Sequence, residues 1–244
     1  MNQKPFLRTV TRVGLSAGLL LALLAAGCAA PQVYAPLPRS VSRPPVHRPL
    51  TAGGRCDVVV DAGHGGTQLG ARGFRGLKEK MITLDIAQRL KRYLQDAGLR
   101  VMMTRGGDQT VSLWQRSHIA SVSGAWSFVS IHANANPDRS AAGCEVYYLP
   151  AQRRPTRGIG SSYQLARAIQ TQFQRDWPMK NRGIKQARFY VLRRTPIPAA
   201  LVEVGFLTNP REEALLRNPA FREEIAKRLA QAVISYRGQI ARLE

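Results

Sequence analysis

Asp57-Val58-Val59-Val60-Asp61-Ala62-Gly63-His64-Gly65-Gly66 is a β-branched run that breaks into a glycine loop carrying one histidine. Valines at this density predict a short buried strand over residues 57–61, and the glycines end it. The next stretch changes period. Ile82, Ile86, Leu90 and Leu94 recur every fourth residue, which predicts an amphipathic helix over residues 78–97, stopped by Gly98. Strands are predicted over 101–104, 126–132, 145–149, 189–192 and 200–204. Between them lie a helix over 112–122 and another capped by Ser162, with Leu165, Ile169 and Phe173 on one face. Asn209-Pro210-Arg211-Glu212 reads as a cap, a first-turn proline and a capping-box Glu, and a last helix covers 219–242. Alternating strands and helices predict an α/β fold: a three-layer αβα sandwich on a mostly parallel or mixed sheet of about six strands.

The chain has 244 residues, of which 44% are hydrophobic, enough for one well-filled core. Ahead of that core, Lys4, Arg8 and Arg12 precede an apolar stretch over 13–26 that suits a signal peptide and is too short to span a bilayer. It ends in Ala25-Ala26-Gly27-Cys28, which resembles a bacterial lipobox. Residues 1–27 are therefore read as a lipoprotein signal peptide with Cys28 as the acylated residue. Ala29 implies sorting to the outer membrane, facing the periplasm, where the cell has one. Six prolines between residues 29 and 54 make 28–54 an extended tether, leaving 55–244 as the globular domain.

Lys and Arg number 36 against 15 Asp and Glu, a net charge of +21. This excess points to an anionic partner. A secreted lipoprotein does not meet nucleic acid, so an acidic wall polymer or lipid surface remains. Once Cys28 is acylated, Cys56 and Cys144 are an even pair in an oxidising space, open to a disulfide or to two buried thiols.

Functional groups in such folds gather where strands end and loops meet helices. His64 follows the first strand, Glu79 opens the first long helix, His132 ends a strand, and Glu203 sits in the apolar run Leu201-Val202-Glu203-Val204. Two histidines and a carboxylate with an open position make a hydrolytic zinc set, and a further Glu suits general acid/base work. Singly, each has a plainer reading. His64 could be a loop histidine or mark an anion nest, Glu79 a helix-start carboxylate, His132 a core histidine. Glu203 is hardest to read so, because an unpaired carboxylate is costly among apolar residues.

In order along the chain, the blocks Val60-Asp61-Ala62-Gly63-His64-Gly65-Gly66, Leu77-Lys78-Glu79-Lys80, Thr104-Arg105, Ser130-Ile131-His132-Ala133-Asn134, Asn181-Arg182-Gly183-Ile184-Lys185, Phe189-Tyr190-Val191-Leu192-Arg193 and Leu201-Val202-Glu203-Val204-Gly205-Phe206-Leu207 resemble the zinc-dependent N-acetylmuramoyl-L-alanine amidases of the amidase 3 family. Ala62 stands where that family usually has proline. The resemblance implies Zn2+ on His64, Glu79 and His132, with Glu203 as catalytic acid/base. It implies hydrolysis of the muramoyl–alanine amide of peptidoglycan, in wall remodelling at cell separation, by a monomer. Asn134 and Arg193 lie in matching motifs as candidate substrate contacts, and Arg153, Arg154, Arg157 and Arg188 offer further charge for stem-peptide carboxylates. Only a short arginine-rich loop spans 150–161, where some relatives carry a site-covering helix, so an uncovered site is expected. A zinc peptidase and a non-catalytic wall-binding lipoprotein are the competing functions.

Overall fold

β1 (Val58–Ala62) is buried at every position and forms the spine that the sequence predicts. The computed structural model describes residues 56–150, 161–174 and 176–242. After β1 come α1 (Glu79–Asp96), β2 (Val101–Met103), α2 (Leu113–Val122), β3 (Ser127–Asn134), β4 (Cys144–Tyr148) and α3 (Ser162–Gln172). Then follow β5 (Asn181–Gln186), α4 (Tyr190–Arg194), β6 (Ala199–Phe206), α5 (Pro210–Arg217) and α6 (Pro219–Ala241). The expected signal peptide, Cys28 and expected tether, with Arg153, Arg154, Arg157 and nearly all of the 150–161 loop, lie outside the described residues.

The six strands form one sheet in the order β2-β1-β3-β6-β4-β5. β1 pairs in parallel with β2 and β3, and β3 with β6. β4 runs antiparallel to β6 and parallel to β5, so the sheet is mixed. Alternate residues of each strand feed opposite layers. Val58, Val60, Ile131 and Val202 meet α1, α3 and α6 in one cluster, whereas Val59, Phe128 and Leu201 meet α2 and α4 in the other. Ile82, Ile86, Leu90 and Leu94 of α1 are all buried, as their spacing requires. This is the expected three-layer sandwich.

Four local expectations are corrected. Residues 189–192 are not a strand: Tyr190–Arg194 is a short helix whose adjacent Val191 and Leu192 both enter the core, a pairing that a strand would split between faces. The missing strand is β5, half-exposed almost throughout and polar because it is an edge. Ser161, not Ser162, caps α3, accepting from the Gln164 N–H. Asn209 caps α5, but Glu212 closes no capping box and instead accepts from the backbone N–H groups of Gly143 and Phe206.

Cys56 and Cys144 are both free and buried. They belong to clusters on opposite faces of the sheet, which rules out the disulfide left open by the sequence. Cys144 accepts a hydrogen bond from Trp177 Nε1, and burial pushes its thiol up to about 12.

Candidate metal centre and catalytic site

Parallel pairing of β1, β3 and β6 brings their carboxyl ends to one edge. His64 leaves β1 with a φ of 59°, a left-handed conformation unusual for a residue with a Cβ. Glu79 is the first residue of α1, where the positive end of the helix dipole favours a carboxylate. His132 lies on β3, and its register partner on β6 is Glu203.

Three of these side chains converge. Glu79 Oε2 lies 3.1 Å from His64 Nε2, and Glu79 Oε1 lies 2.9 Å from His132 Nδ1. One donor atom from each residue falls within 4.8 Å of the others, a spacing compatible with a shared metal ion. The Glu79 carboxylate is also fixed by the N–H groups of Ala71, at 2.7 Å, and Ala133, at 3.1 Å. Burial pushes its proton affinity up, but the bonds with His132 and His64 outweigh this and hold it well below the usual carboxylate range. For His132, burial favours the neutral ring, yet Glu79, Glu203 and Asp61 together raise its proton affinity.

Glu203 is in a different state. Its Oε2 is buried without a hydrogen-bond partner, and such an atom calls for a functional explanation. Burial above all, opposed by His132 and helped by Glu79 and Glu145, raises the carboxyl to about 7. A carboxyl that gains and loses its proton near neutrality suits general acid/base transfer.

Two glycines make room for the cluster. A Cβ on Gly63 would lie 2.5 Å from His132 Cε1, and one on Gly70 would lie 2.4 Å from Glu79 Oε2. Gly70 carried no signal in the sequence, because its role depends on a contact across the chain. Glu145 was also missed. It is buried on β4 as the register partner of Glu203, with its carboxylate held by Arg182, by Lys185 at 3.0 Å and by the Tyr147 hydroxyl. Neither of the other two candidates is among the grouped donors. Asn134 uses its side-chain oxygen to accept from the Ala135 N–H, and Arg193 is exposed on α4 with its guanidinium over the Tyr190 ring.

Residues 58–235 match the Amidase_3 family, described as N-acetylmuramoyl-L-alanine amidase. Among curated proteins, the chain is 34% identical to N-acetylmuramoyl-L-alanine amidase AmiA of Escherichia coli K12, over 76% of this chain and 77% of that one. It is 35% identical to amidase LytC of Bacillus subtilis, over 73% of this chain and 35% of LytC. Among solved structures, it is similar to amidase AmiC2 of Nostoc punctiforme, with a TM-score of 0.69 and 36% identity over 75% of this chain and 97% of that one. The catalytic domain of CwlV from Paenibacillus polymyxa also gives a TM-score of 0.69, at 33% identity over 78% of this chain and 99% of that one.

Proposed function

The chain belongs to the N-acetylmuramoyl-L-alanine amidase family, and on that premise we propose that His64, Glu79 and His132 hold a zinc ion while Glu203 carries the proton. The enzyme hydrolyses the amide between N-acetylmuramic acid and the L-alanine of the peptidoglycan stem peptide. The donor set fits zinc. A tetrahedral ion bound at about 2.0–2.2 Å spaces its ligand atoms by about 3.4 Å. The two Glu79 oxygens lie 3.1 and 2.9 Å from the imidazoles of His64 and His132, and one donor from each residue falls within 4.8 Å of the others, which a single ion can draw together.

Zinc in this position supplies a Lewis acid that polarises the scissile carbonyl and acidifies water. The protein residues do the rest. Glu79 offers a carboxylate kept ionised by its imidazole and backbone partners, so no proton competes for its lone pairs. Glu203 Oε2 accepts a proton from the attacking water and delivers it to the alanine nitrogen as the C–N bond breaks. A carboxylic acid remains on the muramoyl side and a free amine on the peptide. The observation that carries this reading is the unpartnered Oε2 of Glu203, one strand from His132.

Asn134, two residues beyond His132 on β3, and Arg193 on α4 are assigned to substrate contact, Arg193 through stem-peptide carboxylates. The enzyme acts in the cell envelope, where its substrate lies. The lipobox supports anchoring through an acylated Cys28 at the periplasmic face of an outer membrane. Among the described residues no helix is long and apolar enough to cross a membrane. We assign the protein to wall remodelling at cell separation, as a monomer with an uncovered site.

The test is digestion of isolated sacculi with mass spectrometry of the products. Release of intact stem peptides beginning with alanine, abolished by a chelator and restored by zinc, supports the reading. Fragments cut within the peptide would instead assign a zinc peptidase.

A further inference from the structure

Behind the three candidate ligands lies a charged network that the reaction does not use. Arg116 and Arg105 are both buried, each 2% exposed, and nearly all their donors are spent on backbone. Arg116 Nη2 donates to His64 O at 2.6 Å, and its Nη1 donates to Ala62 O and Asp61 Oδ1, each at 2.6 Å. Arg105 Nε donates to Ala62 O at 2.9 Å. Its Nη2 spans Gly63 O, at 2.9 Å, and Lys80 O, at 2.8 Å. Every carbonyl from Ala62 to His64 therefore faces a guanidinium.

The connections reach all three ligands. Arg116 grips the carbonyl of His64 itself. Arg105 ties the carbonyl before His64 to the one after Glu79. Asp61 Oδ2 accepts from Ser130 Oγ at 2.7 Å, which fastens the network to β3 two residues before His132. Asp61 also accepts from Thr104 at 2.6 Å, leaving neither carboxylate oxygen free. Burying two cations against one carboxylate is not a stability optimum, since apolar residues would fill the space at lower cost. Among the described residues Arg105 makes no ion pair at all.

The loop explains the expense. Gly63, His64, Gly65 and Gly66 have little intrinsic preference for one conformation, and His64 sits at a positive φ. Left alone, such a loop would be ordered only by the metal, and that ordering would be subtracted from metal affinity. The geometry points to the Asp61–Arg105–Arg116 network as the device that holds the three ligand backbones in place before metal arrives, and so sets zinc affinity. These are positioning residues, and the inference rests on the zinc reading above.

Zinc affinity of the full chain is measured by competition with a chromophoric chelator, in wild type, Arg105→Lys and Arg116→Lys. Lysine keeps the charge but cannot bridge two carbonyls in a fixed fork. Both variants should bind zinc about 10- to 100-fold more weakly, as for other groups that orient metal ligands. At saturating zinc, kcat should return to near the wild-type value, because Glu203 is untouched. An unchanged zinc Kd in a variant with native near-ultraviolet circular dichroism overturns the proposal.

Arg105→Lys orphans no carboxylate, so it is the safer variant to fold. Wild type supplies an independent check that needs no variant. The Gly63 and Gly65 amides, bonded to Ile131 O and Gln68 O, should be as protected from hydrogen exchange without zinc as with it. Protection gained only on adding zinc also overturns the proposal. If wild type binds no zinc, it is the metal-centre reading that fails; if wild type binds and the lysine variants bind equally, only the clamp fails.

Discussion

Glu145 and Glu203 are register partners across the antiparallel β4–β6 pair, so the buried Glu145 stands beside Glu203, whose Oε2 is buried. Burial favours the protonated form of Glu145, but Tyr147, Lys185 and Arg182 together hold it below the usual carboxylate range. It stays negative beside Glu203 and adds to the burial that, with Glu79 and against His132, raises the Glu203 carboxyl to about 7. Glu203 must be deprotonated to receive a proton from water. Glu145→Gln should therefore shift the acidic limb of the kcat/KM profile to lower pH. A limb that stays put or moves upward contradicts the coupling.

Glu203→Gln keeps the shape of the side chain and removes its basicity. Since general acid/base groups contribute about 10²–10⁴-fold, kcat should fall by that order. Zinc content should stay at the wild-type value, because Glu203 is not among the grouped metal donors. Metal analysis beside a turnover assay separates the two effects, and loss of zinc together with activity would reassign Glu203 as a ligand.

Gly63→Ala would place a methyl 2.5 Å from His132 Cε1. The nearest atoms to that methyl all belong to the His132 ring, so the ring must shift, which disturbs its contact with Glu79. Chelator competition should show weakened zinc binding, with thermal stability of the metal-free protein much less affected.

Asp61 is fully buried. Burial raises its proton affinity, yet Arg116, Thr104 and Ser130 reverse this and leave the carboxyl below its ordinary value. A carboxylate depressed in the folded state stabilises the protein above its unfolded pKa, about 3.9. That contribution disappears as pH falls through the lower folded value. Asp61→Asn strands the Arg116 charge and should cost about 3–5 kcal/mol at neutral pH. Its acid-unfolding curve should also be flatter than that of wild type, read by circular dichroism against pH.

Because Cys56 and Cys144 lie on opposite faces of the sheet, reductant should leave Tm unchanged. A fall in Tm with dithiothreitol would mean a bond that the fold does not allow.

The four chemical residues were legible because each interrupts a pattern: His64 and His132 where buried strands end, Glu79 where a helix begins, Glu203 within an apolar run. Their convergence on one another was not, since spacings across more than a hundred residues carry no distance information, and there the family resemblance supplied the link. Long elements such as α1 and α6 were read to within about two residues, consistent with the usual uncertainty of helix ends. Residues 189–192 misled because Phe, Tyr and Val favour strands, and tertiary packing overrode that preference in so short a segment. β5 was invisible for the opposite reason, being held by pairing with β4 and not by apolar alternation. Arg116 and Glu145 carry no signal in the sequence and Arg105 stands out only as part of a block of the family resemblance; burial is what distinguishes all three.

β6 is the last strand in the chain, yet it sits in the middle of the sheet between β3 and β4. During synthesis, every length of polypeptide that stops short of residue 199 lacks both this central strand and Glu203. An emerging chain therefore lacks part of the candidate site until it is nearly complete.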